Sequence, residues 1–158
     1  MRNGSAVAAL VFAMVLSAAG ADDTVTYPRD YRGWTHVKST LVGPQNAGFA
    51  SNGGLHHFYA NQKGMEGYRT GVFPDGAVLI DDLLEMKDVA TPGVSIEGPR
   101  RRLAVMLRDS RRFAGTGGWG FEIFKGDTDA GSLNTEERAA CFQCHQKAKH
   151  AVYSELRK

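Results

Sequence analysis

The feature that most constrains this chain is Cys141-Phe142-Gln143-Cys144-His145, which holds both of its cysteines. Asn134 followed by Glu137 has the spacing of a capping box, with Asn in place of Ser or Thr, and predicts a helix running to about Lys147. On such a helix Cys141, Cys144 and His145 stand at i, i+3 and i+4 and share one face. Two thiols can then form thioethers to a porphyrin while the adjoining imidazole reaches its iron, so C-x-x-C-H reads as a c-type haem attachment. The site residues predicted are Cys141 and Cys144 for the cofactor and His145 as axial iron ligand, with one covalent haem c. Two other chemistries compete. A thioredoxin-type dithiol belongs in a βαβ unit, which the pattern lacks. A zinc site would need His145 and His150 beside the two thiols.

The other end of the chain agrees with attachment outside the cytoplasm. Arg2 precedes an apolar run from Ala6 to Leu16, and Ala19-Gly20-Ala21 offers an A-x-A cleavage site. This is the pattern of a secretory signal peptide, too short in its apolar stretch to span a bilayer. Cleavage after Ala21 divides the chain into a signal, 1–21, and a mature domain, 22–158, expected to be exported to the periplasm without a membrane span. Nineteen basic against 17 acidic residues give a net charge of +2, too balanced to argue for nucleic acid. Two cysteines are also too few for a disulfide scaffold.

Between these ends the pattern is mainly that of strands. Tyr27 to Arg32 reads as a short helix with Pro28 at an early position, and Trp34 to Thr40 as a strand. A loop from Gly43 to Gly54 leads into Leu55 to Ala60, where Leu55, His57 and Tyr59 share one face and His56, Phe58 and Ala60 the other. Asn61 caps a helix through Tyr68 that Gly64 and Gly67 weaken. Pro74-Asp75-Gly76 is a turn. Ala77 to Leu84 is a strand ending in a helical turn, and Arg102 to Leu107 and Trp119 to Phe124 are two more. One α+β domain follows, and the alternating strands exclude a four-helix haem bundle.

Several blocks resemble, in order, those of the cytochrome P-460 and cytochrome c′-beta family: Tyr27 to Trp34, Leu55 to Asn61, Thr70 to Gly76, Trp119 to Phe124 and Cys141 to His145. The resemblance covers essentially the whole mature chain. It implies a mainly antiparallel sheet with flanking helices, a C-terminal haem helix, frequent homodimers, His145 as proximal ligand and a distal side open to small nitrogen oxides. The leading expectation is a periplasmic monohaem cytochrome binding nitric oxide or a related ligand. The alternatives are a hydroxylamine-oxidising enzyme and a six-coordinate electron carrier with a redox partner protein.

Other residues bear on that choice. His36, His56, His57, Met65, Met86 and Met106 are candidate sixth ligands, although each reads first as a surface histidine or a core methionine. Phe49, Phe58, Phe73 and Phe121 could crowd a distal pocket or pack a core. Of Arg100, Arg101, Arg102, Arg108, Arg111 and Arg112, one or two could pair with haem propionates. Glu122, Asp127 and Asp129 are candidate proton acceptors. Members that oxidise hydroxylamine carry a lysine bonded to the haem ring. By the resemblance that position falls near Tyr68 and Arg69, leaving Lys63 the nearest upstream lysine. The expectation is therefore no cross-link.

Overall fold

In the computed structural model, residues 23–157 are described, so the expected signal peptide lies outside the described residues. Five strands, β1 (Thr35–Val42), β2 (Gly54–Ala60), β3 (Val78–Asp88), β4 (Ser95–Arg108) and β5 (Trp119–Lys125), form one sheet in sequence order with every neighbouring pair antiparallel. Helices α1 (Phe49–Asn52), α2 (Gln62–Thr70) and α3 (Thr135–His145) complete the expected α+β fold. Among the described residues no helix is long and apolar enough to cross a membrane.

Register explains why the strands bury what they do. Phe58 faces Asp81, Asp81 faces Ala104 and Ala104 faces Ile123, while Ala60, Leu79, Met106 and Phe121 form the next row. Period-2 alternation puts all of these on one face, with His56 and Trp119. Tyr59, Ile80, Asp82, Leu103, Val105 and Phe124 then occupy the other. Each face carries its own core. Val25, Tyr31, Phe113 and the strand residues Ile80, Leu103, Val105 and Phe124 make one; Val37, Ala60, Met65, Leu79, Trp119 and Phe121 make the other, beneath α2 and α3. The face assignment read from Leu55 to Ala60 holds.

Four local expectations are corrected. The first helix shrinks to a 3₁₀ turn, Tyr31–Gly33, because Tyr31 is buried and its hydroxyl bonds Asp82 at 2.5 Å. The loop 43–54 contains α1. Leu84 does not open a helical turn: β3 continues to Asp88, and β4 starts at Ser95, because the two pair as one long irregular hairpin. Pairing there overrides the helix-forming Glu85-Met86-Lys87. Finally, α3 ends at His145, not Lys147.

The glycines that weaken α2 as a helix are what let it dock. A Cβ on Gly67 would lie 2.0 Å from Phe73, and one on Gly64 would lie 2.9 Å from the Val78 carbonyl. The Asn61 cap accepts from Gly64 N at 2.8 Å and Val78 N at 3.0 Å, so one side chain starts the helix and ties it to β3.

Candidate functional site

Helix α3 begins with the predicted capping box: Asn134 Oδ1 accepts from Glu137 N at 2.9 Å, and Glu137 Oε2 accepts from Asn134 N at 2.8 Å. One turn further, Arg138 donates to Glu122 Oε2 at 2.6 Å. Glu122 is buried on β5, where its Oε1 also takes the backbone N–H groups of Ile123, Ser132 and Leu133. Burial would raise this carboxyl, but the Arg138 bond and the backbone donors outweigh it and hold the group below the usual carboxylate range. So anchored, α3 packs Cys141 and Phe142 against the core of the first sheet face.

The free thiols of Cys141 and Cys144 follow on this helix, the first half-buried and the second exposed. Burial pushes the Cys141 thiol up, with Cys144 and Glu137 adding to the effect. At the helix end the His145 ring lies 5.2 Å from Phe121 and 5.3 Å from Tyr153, centroid to centroid. Its Nδ1 is 2.9 Å from the carbonyl oxygen of Ala151. A carbonyl only accepts, so Nδ1 carries a proton and Nε2 is the ring nitrogen left to act as a ligand. The chain reaches this position through two consecutive left-handed residues, His150 (φ 56°) and Ala151 (φ 60°). Neither is glycine, and such conformations cost about 1 kcal/mol or more each and persist only where the surroundings enforce them.

Cys141 and His145 line a cavity of about 480 Å³ between α3, the C-terminal segment and the sheet. Its sheet wall is apolar at one end, with Phe58, Leu79, Ala104, Met106, Phe121 and Ile123, and polar at the other, with Asn52, His56, Asp81 and Arg102. His56 Nδ1 sits 2.8 and 3.1 Å from the Asp81 oxygens and Nε2 sits 2.8 Å from the Asn52 carbonyl. Both ring nitrogens face acceptors, so both donate and His56 is an imidazolium. Burial pulls its pKa down, but the bond to Asp81 and that carboxylate's charge prevail and the pKa is raised.

The other predicted residues divide clearly. His36 and His57 lie on the far face, in a hydrogen-bonded chain with Ser39 and Glu97. Met65 is core, Met86 is exposed near the hairpin tip, and only Met106 of the methionines lines the cavity. Phe58 and Phe121 line it too, whereas Phe73 packs on Tyr68 and Trp119 and Phe49 is exposed. Asp127 pairs with Arg100 and Asp129 with Arg29, both away from the cavity, and Glu122 is occupied holding α3. Of the arginines, Arg102 alone borders it. Arg100 bonds Asp82 and Tyr31, Arg101 bonds the Gly53 and Ala50 carbonyls, Arg108 bonds the Gly117 carbonyl, and Arg112 bonds that of Thr24. Lys63 donates to the Asp75 carbonyl at 2.7 Å, and Tyr68 bonds Ser154; neither residue lines the cavity.

Asp81, Asn52, Ala151 and Tyr153 were not singled out from sequence. The Asp81-Asp82 pair inside an apolar strand was the available signal: adjacent strand residues face opposite sides, so each face had to bury one acid.

The donor set suits a haem: two thiols outside any disulfide and one turn apart, an imidazole fixed through Nδ1, and a large apolar wall beside them. Among the described residues, no group of three or more histidine, cysteine, aspartate or glutamate side chains is placed to hold a metal ion. No curated protein matches the chain at a significant level. The family model for cytochrome P460 matches residues 28–154, almost all of the described chain. The chain therefore belongs to the cytochrome P460 family, whose members are haem-binding cytochromes.

Proposed function

We propose that this protein is a periplasmic monohaem c-type cytochrome that binds nitric oxide or a related small nitrogen-oxide ligand at an open distal position. Cys141 and Cys144 would hold the haem through thioethers, each S–H adding across a vinyl group without net oxidation. His145 would be its axial ligand. The observation that carries this reading is the Nδ1–H of His145 fixed on the Ala151 carbonyl, in a ring that lines the same cavity as Cys141. That bond selects the tautomer with Nε2 free to ligate and makes the imidazole a stronger donor.

Bound haem supplies an iron able to take a diatomic ligand, and the chain supplies the surroundings. His56 is unsuited as a sixth ligand because both ring nitrogens are spent on Asp81 and Asn52. Phe58, Leu79 and Phe121 make an apolar wall that favours nearly neutral diatomics over anions. Absorption spectra of the purified protein, ferric and ferrous, with and without nitric oxide, test the proposal. High-spin ferrous spectra that change on adding nitric oxide are expected. A low-spin ferrous spectrum with sharp α and β bands before any addition would overturn it.

A second reading has one observation in its favour. Asp81 places a carboxylate on the cavity wall, and hydroxylamine oxidation needs a group to accept protons from the substrate. Against it, Asp81 is engaged by His56, and Lys63 is tied to the Asp75 carbonyl, where it supports no bond to the haem. Tryptic mass spectrometry separates the two: the haem peptide is expected to contain the Cys141–Cys144 segment alone.

A further inference from the structure

The polar end of the cavity carries more positive than negative charge. His56 is an imidazolium by its hydrogen bonds and Arg102 is a permanent cation, while Asp81 is the carboxylate beside them; Glu122, the cavity's other carboxylate, is already neutralised by Arg138 at 2.6 Å. These side chains are 7%, 22% and 21% exposed. The rest of the local hydrogen bonding is neutral: Arg102 donates to the Ser51 carbonyl and Asn52 Oδ1, both at 2.8 Å, and Arg101 behind it donates to the carbonyls of Ala50 and Gly53. Lys125, opposite Arg102 on β5, is exposed and adds no compensating charge. A part-buried cation in excess is costly unless an anion joins it.

The geometry points to a carboxylate subsite here: we propose that Arg102, with His56 behind Asp81, receives one propionate of the haem. His56 spends both ring N–H groups on Asp81 and Asn52, so its part is to neutralise the carboxylate that would otherwise repel a second one. Arg102 lies 3.9 Å from Asp81 and keeps guanidinium N–H groups beyond the two used on α1. Position agrees as well. Arg102 stands four residues along β4 from Met106, roughly 13 Å at the rise of a strand, and Met106 pairs with Phe121, on which the His145 ring rests. The subsite thus lies toward the far edge of a group ligated by His145, well beyond reach of a small ligand on its iron.

This inference rests on the haem reading, and the test separates the two. Holoprotein is prepared with haem carrying ¹³C in its propionate carboxyls, and isotope-edited infrared spectra are followed against pH. One propionate is expected to remain ionised to lower pH than the other, by about tenfold or more in proton affinity. Arg102→Gln should abolish that difference, and Arg102→Lys should keep part of it, with circular dichroism confirming that α1 and the sheet persist. Two propionates titrating together in the wild-type protein would overturn the subsite, whether or not the glutamine variant folds. An unchanged difference in a folded Arg102→Gln protein would also overturn it. A purified protein with no haem by its pyridine haemochrome spectrum would overturn the subsite and the haem reading together.

Discussion

Glu122 on β5 and Arg138 on α3 meet at 2.6 Å across the junction between sheet and haem-motif helix, with the carboxylate 1% and the guanidinium 13% exposed. The same carboxylate takes three backbone N–H groups from β5 and the segment leading into α3. One side chain therefore ties the capped start of α3 to the sheet, and through it where Cys141, Cys144 and His145 stand.

Removing that carboxylate should loosen the site at a distance. Glu122→Ala leaves the buried Arg138 guanidinium with only the longer pair to Asp23, at 3.5 Å, and is expected to cost about 3–5 kcal/mol by urea unfolding. Glu122→Gln should cost less, since its amide oxygen can still accept. The group's pKa is lowered on folding, so its stabilisation is present above the unfolded carboxyl value and is lost as pH falls through the folded one. Wild-type stability should decline on acidification below about pH 4.5 more steeply than that of Glu122→Gln.

His56 has the opposite sign. Its pKa is raised on folding, so its contribution is complete below the unfolded value and disappears as pH rises through the folded one. Thermal unfolding between pH 5 and pH 9 should show a loss on the alkaline side. Asp81→Asn removes the carboxylate that holds the charge and should flatten that arm of the profile. An identical alkaline slope in the variant would mean that another group carries it.

Much of this was legible in local pattern. The alternation of Leu55 to Ala60, the caps at Asn61 and Asn134 and the turn at Gly76 are short-range signals, and each is where the sequence puts it. What was not legible depends on pairing between distant residues. Glu122 reads as a free acid because Arg138 lies sixteen residues on, and the role of Asp81 is not local because its partner His56 is on the neighbouring strand. The hairpin of β3 and β4 also contradicts its own helix-forming residues, which only the cross-strand register overrides.

Gly67 gives a substitution whose sign separates tertiary packing from helix propensity. In an exposed helix, glycine to alanine gains close to 1 kcal/mol. Here the added methyl would lie 2.0 Å from Phe73, which itself packs on Tyr68 and Trp119. Gly67→Ala should therefore destabilise the protein by about 1–3 kcal/mol, read as a lower Tm. A raised Tm would show that Phe73 moves aside freely.

Met106 decides between an open and a filled sixth position. It is the one candidate ligand lining the cavity whose ligating atom is not engaged in a hydrogen bond, and it lies directly across β4 and β5 from Phe121. A thioether on the iron would give a six-coordinate, low-spin ferrous protein and favour electron transfer. The open-site proposal instead makes Met106 part of the apolar wall, where leucine replaces methionine at a cost below about 1.5 kcal/mol. Met106→Leu should accordingly leave the ferrous spectrum high-spin and the nitric oxide response intact. Conversion from low-spin to high-spin on this single change would identify Met106 as the ligand and turn the assignment toward an electron carrier.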